Sequence, residues 1–201
     1  MHKDRIYRDV VVPFEVREAA DEMTVSGYAA NYGEYQLWGK YFERIAGPEA
    51  YKDCDMTDII LRYDHTGKVL ARVSNGTLTV KPDETGLAIE ADLSKSQAAR
   101  ETYEEIKAGL ITKMSWAFMV AKEHEEREYD DDGNTTKICR VIDSLAKVYD
   151  VAPVSIPAND KTAISARAWI DGVINSDRRS DLKRKGLALR IRINQEKGHT
   201  R

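Results

Sequence analysis

Cysteine is scarce in this chain: Cys54 and Cys139 are the two in 201 residues, far apart and without a CxxC pair or a Cys/His cluster. That spacing excludes a zinc framework, and four scattered histidines do not supply one. Both thiols read as reduced structural residues. Long apolar runs are also missing. Every hydrophobic stretch is short and interrupted by charge, and the opening MHKDRIYRDVVV lacks the apolar core of a signal peptide. A soluble protein made and used inside a cell is expected, with no membrane partner. The end of the chain lacks aromatics after Trp169, which removes the usual platforms for stacking on bases.

What is present is enough for one compact core with a small appendage: 42% of residues are hydrophobic and 32% charged. The net charge of -3 is unevenly spread. Residues 161–201 carry 11 Lys/Arg against 4 Asp/Glu, whereas residues 1–160 carry 20 against 30. The basic tail, RRSDLKRKGLALRIRINQEKGHTR, has the charge to bind an acidic partner, and a solvated helix or a disordered extension accounts for it equally well.

Local patterns predict a mainly β chain. Residues 14–30 read as two strands around a polar turn at Ala20–Glu22, with Gly27 as a bulge. Pro48 opens a short helix. DIILRY, residues 58–63, is a buried strand that delivers Asp64, His65, Thr66 and Gly67 to its end. TLTVKPDETGLAIEADL is a hairpin turning at Pro82–Gly86. Ser94 and Gln97 are spaced as a capping box for a helix with Ala98, Tyr103, Ile106 and Leu110 on its apolar side and Gly109 as its stop. ITKMSWAFMV is a strand carrying Ser115. DDDGN is a turn, and TTKICRVIDSL and AKVYDVAPVSIP return as strands. A mixed, mostly antiparallel barrel or sandwich with peripheral helices fits this order.

Two of these residues carry chemistry. A serine hydroxyl is a weak nucleophile until a positioned base takes its proton, and imidazole is the usual base. Ser115 and His65 lie 50 positions apart, so only the fold brings them together. Spacing alone is equally consistent with a serine bonded to backbone and a satisfied surface histidine.

The segments YDHTGKVLARV (63–73), GLITKMSWAFMV (109–120) and VYDVAPVSIPAN (148–159), in that order, resemble the prohead proteases of HK97-like tailed phages. The resemblance spans about residues 10–165 and implies a protease domain at 1–165 followed by a basic extension at 166–201, partly helical or disordered. It implies a herpesvirus-protease-like fold, a mostly antiparallel β-barrel with peripheral helices. It also implies a serine endopeptidase acting in the host cytoplasm inside the assembling prohead, on scaffold or the scaffolding segment of the major capsid protein, and on itself. No cofactor or metal is needed, and a homo-oligomer is compatible with the family.

By the same resemblance the catalytic residues are His65, Ser115 and, in the third motif ahead of Pro157, Ala158 and Asn159, Asp150. Two departures from the family pattern stand out: the acid is Asp where Glu is more usual, and Pro153 interrupts the apolar run, which argues for a strand edge or bulge. Asp143 and His124 are the other candidates for the third position, His124 because herpesvirus proteases use a second histidine there. The loop Leu70–Arg72 is the expected source of oxyanion donors, with Arg72 also suited to a structural ion pair. Two different functions fit parts of the pattern: a catalytically silent capsid-assembly protein that keeps the fold, and a nucleic-acid-binding module on the tail.

Overall fold

The structure, a computed structural model, describes residues 5–10, 15–19, 22–155 and 169–183. The chain divides into two compact units, 1–162 and 163–201. In the second, residues 169–183 form an α-helix. The third motif's Pro157, Ala158 and Asn159, the turn at Ala20 and Asp21, and the tail after residue 183 lie outside the described residues.

The first unit is mainly β. Its strands are β1 (Ile6–Val10), β2 (Glu15–Ala19), β3 (Glu22–Asn31), β4 (Tyr35–Trp38), β5 (Tyr41–Ile45), β6 (Ile60–Arg62), β7 (Val69–Arg72), β8 (Leu78–Pro82), β9 (Gly86–Asp92), β10 (Lys113–Tyr129) and β11 (Thr135–Val154). One α-helix, α1 (Gln97–Lys107), separates β9 from β10, and Pro48–Tyr51 forms a 3-10 turn. The strands pair into two sheets. Seven strands follow the path β1-β10-β11-β5-β4, with β6 pairing β11 and β7, while β2-β3-β9-β8 form the second sheet. Both sheets stay open among the described residues, so the expected closure into a barrel is not among the observed pairings. One core joins the two sheets and α1, drawing Leu87 and Ile89 from the second sheet, Leu61, Met114, Trp116, Phe118 and Val151 from the first, and Tyr103 and Ile106 from the helix.

Most neighbours are antiparallel, and both parallel pairings use β11. Residues 135–154 were expected as two strands. They form one, because nothing between Ser144 and Lys147 is a turn residue that would reverse the chain. Its first half pairs β5 over Ile138–Ile142 and its second half pairs β6 at Asp150 and Val151. Register shifts against β10 absorb the length, one of them directly after Ala117. Pro153 faces Met114 across the ladder, beyond the last β6 partner, where the other flank of β11 has no partner strand among the described residues.

Three local expectations are corrected. The helix cap is Ser96, whose hydroxyl accepts from the Ala99 N–H at 3.1 Å, and not Ser94, whose own N–H is taken by Asp92. Gly109 does end the helical region, at φ 72°, and the reversal turns Leu110 outward to 73% exposure instead of onto the apolar face. The irregularity in β3 falls between Tyr28 and Ala30, not at Gly27, which pairs regularly with Ile89. There Gly86 approaches so closely that a Cβ would lie 2.0 Å from the Ala30 carbonyl oxygen.

Charge is buried on one face of the larger sheet. Glu43 on β5 accepts from Arg8 Nε at 2.5 Å and Nη2 at 2.8 Å, and from Arg140 Nη1 at 3.0 Å. Arg140 in turn donates to Glu123 on β10 through Nε at 2.9 Å. Four strands are thereby tied through side chains. Burial alone would push the Glu43 carboxyl up, but the charges and hydrogen bonds of Arg8 and then Arg140 hold it below the usual range.

Candidate active site

Strand alternation determines which residues of β10 and β11 can meet. Ser115 lies opposite Ala152 and Ala117 opposite Asp150, so Ser115 and Asp150 share one face of the ladder. Trp116 points to the other face and stacks on Phe118 with ring centroids 4.0 Å apart. Both side chains are buried in the core.

His65 arrives from a different element. After β6 the chain enters a tight turn, Tyr63–His65, in which Asp64 and His65 adopt left-handed conformations at φ 46° and 56°. Such backbone costs about 1–2 kcal/mol per non-glycine residue, so the surroundings must hold it. They do so from two sides. The Asp64 carboxylate accepts from the Ser155 N–H at 3.0 Å and its hydroxyl at 2.8 Å, and the Gly67 N–H donates to the Tyr63 carbonyl at 2.7 Å. A Cβ on Gly67 would meet that carbonyl oxygen at 2.8 Å, so glycine is required. β6 pairs with β11 at Asp150 itself, and the turn that follows β6 therefore begins beside that carboxylate.

The result is a continuous line of bonds. Ser115 Oγ lies 2.6 Å from His65 Nε2, and His65 Nδ1 shares a short hydrogen bond with Asp150 Oδ1. Ser115 has no exposed surface, and the side chains of His65 and Asp150 are 7% and 2% exposed. Beside the turn, an open recess of about 290 Å³ is lined by Tyr63, Gly67 and Leu70 on one side and by Ala98, Glu101 and Glu105 of α1 on the other. A hydroxyl, an imidazole and a carboxylate in this order are the components of base-assisted acyl transfer.

Residues 12–172 match the family described as caudovirus prohead serine protease. The chain belongs to that family. No curated protein and no solved structure matches it. Membership makes the chain one of a family of serine peptidases whose setting is the maturing capsid of a tailed phage. No described helix is long and apolar enough to cross a membrane, and no group of three or more metal-ligating side chains lies together among the described residues.

Within this chain, the other residues considered for the third position lie elsewhere. His124 Nδ1 is 2.9 Å from both Asp143 carboxylate oxygens, so the two are bound to each other. They sit about 30 Å along β10 from Ser115, at about 3.3 Å per residue. Leu70–Arg72, expected as a loop with oxyanion donors, is strand β7. The Arg72 N–H donates to Thr77 Oγ1 at 2.9 Å, and its guanidinium lies 3.5 Å from Asp58, the structural ion pair. Sequence reasoning placed Asp64 and Gly67 at the end of the strand without their role in shaping the turn, and it missed Arg5 and Tyr7. The Tyr7 ring packs edge-on to His65 with centroids 4.7 Å apart, and Arg5 Nη1 lies 3.6 Å from Asp150 Oδ2. Asp and His tolerate left-handed backbone better than most residues, which is the one signal the sequence offered for the turn. Nothing in the sequence pointed to Arg5 or Tyr7.

Proposed function

We propose that this chain is a serine endopeptidase with Ser115 as nucleophile, His65 as general base and Asp150 as the carboxylate that orients the imidazole. Its substrates are scaffold protein or the scaffolding segment of the major capsid protein. The observation that carries this reading is the unbroken chain from Ser115 Oγ through His65 to Asp150. His65 Nε2 takes the hydroxyl proton as Oγ attacks a peptide carbonyl carbon, and the carbonyl oxygen becomes an oxyanion held by backbone N–H donors. Collapse breaks the peptide bond, with the imidazolium protonating the leaving amine. Water, deprotonated by the same imidazole, then hydrolyses the acyl-enzyme and returns the proton to Ser115. Asp150 fixes the tautomer and stabilises the imidazolium. The basic extension beyond residue 165 serves as the targeting segment that places the enzyme among acidic assembly partners before the shell closes.

The test is co-expression of wild type or Ser115→Ala with the capsid and scaffold proteins, followed by mass spectrometry of the products. Cleavage by wild type alone is the expected result. Processing by a folded Ser115→Ala chain would remove Ser115 as nucleophile.

A further inference from the structure

Strand β1 lies against the segment of β10 that carries Ser115. Their antiparallel register sets Tyr7 opposite Ala117, Arg8 opposite Trp116 and Asp9 opposite Ser115. An extended segment added to the flank of a strand is also how a peptide binds by strand addition, so β1 and an incoming peptide compete for one edge. We propose that β1 is an inhibitory strand, and that peptide reaches Ser115 only in molecules whose β1 has left the β10 flank. The proposal rests on Ser115 as nucleophile.

Each member of the site is engaged from this strand or the residue before it. Ser115 Oγ donates to the Arg8 carbonyl oxygen at 3.0 Å. A hydroxyl has one proton, and while it is given to that carbonyl it is not given to His65 Nε2, so the serine is not primed for attack. The Tyr7 ring stands edge-on to the imidazole. The Arg5 guanidinium, stacked 3.9 Å over the Tyr149 ring, brings a positive charge to the second oxygen of Asp150, where it competes with the imidazolium that forms during catalysis.

A latch on the opposite face holds the strand in place. Arg8 reaches Glu43 with two hydrogen bonds, and Glu43 is also bound by Arg140. When Arg8 withdraws, Glu43 keeps Arg140, so opening does not leave a buried carboxylate without a cation.

The experiment pins or loosens β1 in the full chain and reads Ser115 with a fluorophosphonate, which forms an Oγ–P bond as fluoride leaves. Tyr7→Cys with Ala117→Cys places two thiols at directly opposed positions, whose Cβ separation of about 4.5–5.5 Å closes to a disulfide with a small adjustment. Labelling, followed by intact mass, is expected to be at least about tenfold faster after reduction than in the oxidised form, because the rate scales with the fraction of open molecules. Tyr7→Pro in the otherwise native chain removes a backbone N–H and the ring on His65, and is expected to label at least about tenfold faster than wild type. Equal rates in the oxidised and reduced forms, or a folded Tyr7→Pro chain no faster than wild type, would overturn the inhibitory strand and leave Ser115 as nucleophile. Absence of labelling in every form would overturn both.

Discussion

Two histidine–aspartate pairs sit at opposite ends of the β10–β11 ladder, and they share a bond type but not a setting. His65–Asp150 is enclosed, with a serine hydroxyl on the far side of the ring. His124–Asp143 is open to water, with the His124 side chain 50% exposed and Glu126 as its second neighbour at 3.5 Å. In the enclosed pair the low local dielectric strengthens the bond, and a strained turn prevents the ring from rotating away. In the exposed pair water competes for both partners, and the interaction is worth little. Under the proposed function, what distinguishes the enclosed pair is the third group, Ser115, and the element that presents the ring.

The largest expected difference between the pairs is in catalysis. Ser115→Ala and His65→Ala should each lower hydrolysis of a capsid-derived peptide by on the order of a thousandfold or more while the fold survives. His124→Ala should stay within about twofold of wild type, as expected of a surface group. An inactive His124→Ala chain would break the comparison outright. A finer test exchanges the carboxylates: Asp150→Asn should cost on the order of a hundredfold, less than His65→Ala because the carboxylate orients and does not transfer the proton. Asp143→Asn should cost nothing measurable in the same kcat/KM assay.

Stability sharpens the contrast from the opposite face of the ladder. Glu43→Ala removes the carboxylate shared by the buried Arg8 and Arg140 guanidinium groups and should destabilise the chain by about 3–5 kcal/mol in urea unfolding. Because Arg8 and Arg140 hold the Glu43 carboxyl below its unfolded value, its contribution is present above about pH 4.3 and is lost as pH falls through the lower folded value. The gap between wild type and Glu43→Ala should therefore narrow in acid. An unchanged gap would mean that the loss came from packing alone.

The smallest effect belongs to the exposed pair. The hydrogen bond that His124 donates to Asp143, and then its contact with Glu126, raises the His124 ring above its ordinary value. A raised value contributes stability that is full below about pH 6.5 and disappears as pH rises through the folded value. Urea midpoints of wild type and Asp143→Asn should differ slightly at about pH 5 and coincide at about pH 9. A difference persisting at the higher pH would show that the pair does more than bind a proton.

Most strands were readable because alternation and turn chemistry act over a few residues. Leu78–Pro82 and Gly86–Asp92 were expected as a hairpin and form one, and the stop at Gly109 follows from the left-handed conformation glycine permits. The misreadings arose where several local solutions were nearly equal. Ser94 and Ser96 both suit a helix cap, and the tertiary position of Asp92, which takes the Ser94 N–H, decides between them. Residues 135–152 contain no glycine or proline, so their continuity is settled by the partners on either flank, β5 and then β6.

By itself the sequence determined the order of short strands, the single strong helix, and the residue types at positions 65, 115 and 150, because periodicity and motif spacing are properties of the chain alone. Only the tertiary structure decided that Asp150 and not Asp143 meets His65, since register assigns each strand residue to a face and parallel pairing with β6 brings the turn to that carboxylate. The left-handed turn at Asp64 and His65 and the strand laid beside Ser115 were decided there too, for the same reason: both depend on partners 91 and 107 positions away, and no local pattern encodes a contact at that separation.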